Sequence, residues 1–134
     1  MTGLLLDTSA YSAIARRHPG IATLLGSAPL ICLSVIVVGE LVDGFRGGNR
    51  QRINEAELDL FLQGSRSKLL QLDRGTADCY GEIKNYLTRR GRPIPTNDIW
   101  IAASAMQHGL RLVTTDRHFR EIPQVIVDYY EPAT

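Results

Sequence analysis

The chain has 134 residues, enough for one compact domain and too few for two of typical size. Hydrophobic residues make up 44% of the sequence and charged residues 22%, values that exclude an intrinsically disordered or low-complexity protein. The formal net charge of +1 indicates no particular class of partner. We therefore expect a single domain over residues 1–134.

The N-terminus and the cysteines indicate a cytoplasmic protein without membrane contact. The apolar run LLL stops at Asp7 and no charged segment precedes it, so the N-terminus is typical of neither a secretory signal nor a membrane span. Cys32 and Cys79 lie in apolar or helical patterns, where we expect buried small side chains and no disulfide framework.

Short apolar runs alternate with longer helical patterns, which predicts an α/β fold around a parallel sheet. The predicted strands are Leu4 to Leu6, Leu30 to Leu33, a weak third strand from Leu69 to Leu72, LRLVTTD and QVIVDYY. The predicted helices are about Ser9 to Arg16, about Gly20 to Leu25, VIVVGELVDGF after an N-cap at Ser34, NEAELDLFLQG, TADCYGEIKNYLTRRG, and about Asp98 to His108 with Gly109 as its C-cap. The segment RGGNRQR is predicted to be a loop.

Four acidic residues stand near strand ends or helix starts. Asp7 directly follows the first predicted strand, and Asp116 follows the fourth. Asp98 lies in the first turn of its predicted helix, and Glu40 lies on the helix that follows the second strand. Each acid alone has an ordinary explanation, namely a helix cap, an Asx-turn, an exposed helix position or stabilisation of the helix dipole.

Together, the four acids are predicted to meet at one edge of the sheet, the edge where open α/β sheets bind ligands. Two like charges about 4 Å apart repel by roughly 4 kcal/mol at an effective dielectric near 20, so such a cluster requires raised pKa values or cations. No Lys or His is adjacent in sequence to any of the four. An all-oxygen site suits Mg²⁺ or Mn²⁺ better than zinc, for which the sequence has no Cys/His spacing. Because such ions promote phosphodiester hydrolysis, the pattern predicts a metal-dependent nuclease.

Arginine and hydroxyl residues supply further candidates. The segments RGGNRQR and RRGR are rich in arginine, which donates paired hydrogen bonds to phosphate, although solvated helix ends explain either cluster equally well. We select Arg46, Arg50 and Arg117 as candidate phosphate contacts. Thr115 is a candidate for orienting a water or a ligand, or for capping a turn. A Ser/His/Asp hydrolase is disfavoured because no G-x-S-x-G elbow is present, and Ser9 is interpreted as a helix cap.

The segments LLLDTSAYSAI, SVIVVGELVDG, PIPTNDIWIAASAM and LVTTDRHF, in this order, closely resemble the PIN-domain family and, within it, the VapC-type toxins. The resemblance spans almost the whole chain. It implies a three-layer α/β/α fold with a central, mostly parallel sheet and an acidic site at Asp7, Glu40, Asp98 and Asp116. It also implies Mg²⁺ or Mn²⁺ dependence, endoribonuclease action on structured RNA such as transfer or ribosomal RNA, a VapB-like antitoxin and a homodimer.

The mechanistic hypothesis assigns metal ligation to Asp7, Asp98 and Asp116, with Glu40 holding a water or a second ion. Attack of water on phosphorus would leave a 5′-phosphate and a 3′-hydroxyl. A receiver-like signalling domain with an acidic Mg²⁺ pocket is one alternative, but it would require a Lys after a late strand and the chain has none beyond Lys84. A non-catalytic module that binds RNA or antitoxin is the other, and the four intact acids disfavour it.

Overall fold

Five parallel strands form one sheet in the computed structural model, which describes residues 2–132. The strands are β1 (Leu4–Leu6), β2 (Ile31–Ser34), β3 (Ser67–Leu70), β4 (Arg111–Thr114) and β5 (Val127–Tyr129). Their spatial order is β3-β2-β1-β4-β5, and each neighbouring pair is parallel. The prediction of a mostly parallel central sheet is confirmed.

Within residues 2–132, six α-helices and one 3₁₀ helix connect the strands. They are α1 (Thr8–Ala15), α2 (Pro19–Ser27), α3 (Val35–Arg46), α4 (Gln51–Leu62), α5 (Arg74–Arg89), α6 (Thr96–His108) and the 3₁₀ helix (Arg117–Glu121). Strands β1, β2 and β3 follow one another toward one edge of the sheet, whereas β4 lies on the other side of β1. Because crossovers between parallel strands are right-handed, this reversal places α1 to α4 on one face of the sheet and α5 and α6 on the other. This is the predicted three-layer α/β/α arrangement.

The central strands are buried on both faces, which explains their continuous apolar sequences. Leu5, Leu6 and Leu33 have no exposed side-chain surface, and Leu112 and Val113 of β4 are equally buried. Cys32 is buried within β2 and Cys79 is half-buried, and both thiols are free. Across residues 2–132, none of the helices is both long enough and apolar enough to cross a bilayer.

Several predicted boundaries are wrong by one to three residues; β3, for example, ends at Leu70 rather than Leu72, and β5 begins at Val127 rather than Gln124. β3 begins at Ser67 rather than Leu69, because Ser67 and Lys68 pair with β2 although they are polar residues of a sheet edge. α4 begins at Gln51 rather than Asn54, so the last two residues of the RGGNRQR segment are helical. The predicted N-cap at Ser34 is confirmed, since its hydroxyl accepts a hydrogen bond from the backbone N–H of Val37 at 3.2 Å.

Gly109 and Gly81 should respond in opposite ways to substitution by Ala. Gly109 ends α6 with φ 62°, where a Cβ is strained, so Gly109→Ala should lower the free energy of unfolding by about 1 kcal/mol. Gly81 lies exposed within α5, and an added Cβ meets nothing within 4 Å. Because Ala has a higher helix propensity than Gly, Gly81→Ala should raise the free energy of unfolding by about 0.5 to 1 kcal/mol. Urea unfolding of both variants measures the effects. A Gly109→Ala chain as stable as the unmodified chain would contradict the prediction.

Candidate metal centre

The sheet topology brings the four predicted acids to one edge. Asp7 follows β1 and Asp116 follows β4, and these strands are parallel neighbours, so their carboxyl ends lie together. Glu40 lies in the second turn of α3, which starts at the end of β2. Asp98 is the third residue of α6, and the charges of the other three acids all act on its carboxyl group. The four carboxyl groups therefore form one electrostatic cluster.

Asp7 is the buried member of the cluster, with 3% of its surface exposed. Burial raises the pKa of Asp7, while hydrogen bonds from the Thr114 hydroxyl at 2.6 Å, the Ala10 backbone at 2.8 Å and the Ser9 hydroxyl at 2.8 Å oppose that rise. The bond from Ala10 makes Asp7 the N-cap of α1. The interpretation of Ser9 as the cap is wrong, because Ser9 lies inside the first turn.

Ser9 and Thr114 link the ends of β1 and β4. The Ser9 hydroxyl accepts a hydrogen bond from the backbone N–H of Thr115 at 2.9 Å. The Thr114 hydroxyl accepts one from the backbone N–H of Asp116 at 2.8 Å. Of the two threonines at the end of β4, it is thus Thr114 rather than Thr115 whose hydroxyl contacts an acid of the cluster. Sequence reasoning missed Thr114, although its register opposite the end of β1 places it beside Asp7.

Asp98 is the acid with the most perturbed ionisation. Burial, followed by the charges of Asp116 and Glu40, raises the pKa of Asp98 to about 6. His118 acts in the opposite direction and is too weak to cancel them. The side chain of Asp98 is 16% exposed, so a ligand at the sheet edge can reach it.

His118 completes the cluster, and sequence reasoning missed it. Its Nδ1 lies 3.2 Å from Oδ1 of Asp116 and 3.6 Å from Oδ2 of Asp98. Asp116 caps the 3₁₀ helix by accepting a hydrogen bond from the backbone N–H of His118 at 2.9 Å, and that turn folds the imidazole back over the acids. No His is adjacent to the four acids in sequence, but the fold places His118 beside two of them.

Glu40 is held between the starts of two helices. Its Oε1 accepts a hydrogen bond from the hydroxyl of Thr8 in α1, and its Oε2 accepts one from the side-chain amide of Asn97 in α6 at 3.3 Å. Both donors are neutral, so they orient the carboxylate without cancelling its charge.

The charge balance of the cluster suits a divalent cation. In the part of the chain that the structure describes, no Lys or Arg forms an ion pair with any of the four acids. Ligand atoms of Asp98, Asp116 and His118 all lie within 4.8 Å of one another, close enough to share one ion. Carboxylate oxygens are preferred ligands of Mg²⁺ and Mn²⁺, so these residues fit such an ion.

The three arginines predicted to contact phosphate differ in their distance from the acidic cluster. Arg117 flanks the cluster next to Asp116, where its guanidinium donates to the Tyr129 hydroxyl at 3.2 Å and pairs with Glu131 at 3.3 Å. Arg46 ends α3, six residues beyond Glu40 and hence about 9 Å further along the helix axis. Arg50 immediately precedes α4. Both Arg46 and Arg50 are exposed.

Comparisons with known proteins agree with this fold. The family described as PIN domain matches residues 4–125. Ribonuclease VapC2 of Rickettsia felis is 30% identical over 132 residues, covering 95% of this chain and 97% of the relative. The tRNA(fMet)-specific endonuclease VapC of Shigella flexneri is 32% identical over 93 residues, covering 69% of each.

A solved structure extends the similarity to three dimensions. The crystal structure of VapBC2 from Rickettsia felis, bound to a DNA fragment from its promoter, has a chain that superposes with a TM-score of 0.85 and 28% identity. The superposition covers 96% of this chain and 98% of that one. The parallel α/β/α sheet is the fold that this chain shares with that structure. The chain belongs to the PIN-domain family and, within it, to the VapC ribonucleases.

The ion-free chain should become more stable when Asp98 is replaced by Asn. The pKa of Asp98 in the folded chain, about 6, lies above its ordinary value of 3.8, so this group lowers stability as pH rises from about 4 to about 6. Asp98→Asn should therefore add about 1 kcal/mol at about pH 7.5, where solvent screens part of the repulsion, and almost nothing at about pH 4.

Thermal unfolding in chelator at both pH values measures the effect. Asp78→Asn is the matched control, because Asp78 is exposed on α5 and pairs only with Arg74. It should leave the melting temperature almost unchanged. An Asp98→Asn chain that is less stable than the unmodified chain at the higher pH would contradict the repulsion.

Proposed function

We propose that this protein is a metal-dependent endoribonuclease toxin that cuts structured RNA and is neutralised by a VapB-like antitoxin. The observation that carries the proposal is the cluster of Asp7, Glu40, Asp98 and Asp116 at the carboxyl edge of the sheet, without a Lys or Arg counter-charge among the described residues. The names of the VapC relatives support the reaction class.

Asp7, Asp98 and Asp116 would hold Mg²⁺, for which Mn²⁺ could substitute. When bound, such an ion supplies Lewis-acid stabilisation of phosphate charge and lowers the pKa of water. Glu40, held by Thr8 and Asn97, would hold a second ion or orient the attacking water by accepting its hydrogen bond. Water adds to phosphorus, the bond to the 3′ oxygen breaks, and the products carry a 5′-phosphate and a 3′-hydroxyl.

Arginine beside the site would position the RNA. Arg117 presents a guanidinium next to Asp116, and its contact with Tyr129 restricts the side chain before RNA arrives. Arg46 and Arg50 would contact phosphates further along the strand, and Thr115 would orient a water or ligand at the rim. Transfer RNA or ribosomal RNA is the proposed substrate, supported by the tRNA-specific activity in the name of the Shigella relative.

The proposal also includes the protein partner, the oligomeric state and the cellular location. The solved relative is a VapBC complex, which supports a VapB-like antitoxin that covers the acidic edge of this chain. We further propose a homodimer, a single domain over residues 1–134 and a cytoplasmic location. The receiver-like alternative is wrong, because the chain belongs to the PIN-domain family. A non-catalytic module remains as an outcome of the cleavage test.

Cleavage of total cellular RNA by the purified protein tests the function. We expect discrete fragments with Mg²⁺ and none with chelator. Asp116→Asn should slow cleavage by at least about 100-fold, because it removes a ligand at the centre of the cluster. Asp78→Asn is the matched control and should cut at the unmodified rate, since Asp78 is exposed on α5.

Mapping the fragment ends tests the chemistry, and 5′-phosphates are expected. Cleavage that survives both chelator and Asp116→Asn would contradict the metal-dependent mechanism. RNA binding without cleavage, with the ion bound, would favour the non-catalytic module.

A further inference from the structure

His118 introduces a nitrogen donor into a site that is otherwise made of carboxylates. Its Nδ1 faces Asp98 and Asp116, while 55% of the side chain is exposed to solvent. The ring is therefore fixed on its acidic side and accessible to water on the other.

The distances suit a shared ion. An octahedral site with ligands at about 2.1 Å places adjacent ligand atoms about 3.0 Å apart. The Nδ1 atom of His118 lies 3.2 Å from Asp116 Oδ1 and 3.6 Å from Asp98 Oδ2, so a small rotation of the exposed imidazole brings Nδ1 close to that spacing from both oxygens. These three residues form the group whose ligand atoms lie within 4.8 Å of one another.

The identity of the donor affects which ion is favoured. Mg²⁺ strongly prefers oxygen ligands and gives up water reluctantly, whereas imidazole binds first-row transition ions well. Mn²⁺ accepts the carboxylates that Mg²⁺ prefers and an imidazole as well. A site with one nitrogen among its donors therefore discriminates between the two ions, and a site made of carboxylates alone does so much less.

We infer that Nδ1 of His118 is a direct ligand of the bound ion and raises the affinity of this site for Mn²⁺ relative to Mg²⁺. The inference rests on the proposed function, because it concerns the same metal centre. His118 touches the ion in this arrangement, and it is distinct from the four acids that the sequence predicted.

Pulsed electron paramagnetic resonance of the full chain loaded with Mn²⁺ alone tests the inference. A directly bound imidazole gives a ¹⁴N modulation of the Mn²⁺ signal, which should be present in the unmodified chain and absent in His118→Asn. His108→Asn is the matched control, because His108 is exposed at the opposite end of α6, ten residues or about 15 Å from Asp98. It should keep the ¹⁴N signal.

Calorimetric titration with each ion supplies the second readout. His118→Asn replaces nitrogen by an amide that can offer oxygen, so the ratio of Mn²⁺ to Mg²⁺ affinity should fall by about 10-fold, with little change in Mg²⁺ affinity. Circular dichroism should show an unchanged fold, because His118 is exposed.

The outcomes separate this inference from the proposed function. Bound Mn²⁺ and RNA cleavage without a ¹⁴N signal, or with one that persists in His118→Asn, would overturn the role of His118 and leave the nuclease intact. An unmodified chain that binds neither ion would overturn both.

Discussion

The site depends on the electrostatic repulsion that Asp116, Glu40 and Asp7 exert on Asp98 at the carboxyl edge of a parallel sheet. The parallel pairing of β1 with β2 and β4 brings Asp7 and Asp116 together with the helix starts that carry Glu40 and Asp98. Burial and the neighbouring charges raise the pKa of Asp98 to about 6. A fold that concentrates acids in this way is favoured when a cation shares the site.

Four neutral side chains hold Asp7 and Glu40 in place without neutralising them. Thr114 and Ser9 donate hydroxyl hydrogen bonds to Asp7, and Thr8 and Asn97 donate to Glu40. All four donors are uncharged, so the carboxylates are oriented while their negative charge remains available to a cation. An Arg or Lys in the same positions would form ion pairs with the carboxylates, and their negative charge would then be neutralised without a metal ion.

Much of this site could be predicted from the sequence, because strand ends and helix starts are legible in apolar patterns. The acids at those points lie close together because the strands are parallel and the strands that precede Asp7 and Asp116 are neighbours. Thr114 could not be separated from Thr115 in this way, since the choice depends on the pleat of β4. His118 was missed because a 3₁₀ turn capped by Asp116 folds it back, and adjacency in sequence does not report such a turn. The start of β3 was predicted two residues too late, because Ser67 and Lys68, the first two residues of this edge strand, are polar.

Titration of the Asp98 side-chain carboxyl by ¹³C NMR, with and without Mg²⁺, would examine the electrostatic basis of the site. Asp98→Asn assigns the resonance. The ion-free chain should give an apparent pKa near 6, and Mg²⁺ should lower it, because the ion binds the ionised form. A carboxyl that titrates near its ordinary value of 3.8 without ion, and that does not respond to Mg²⁺, would contradict a repelling cluster that binds a divalent ion.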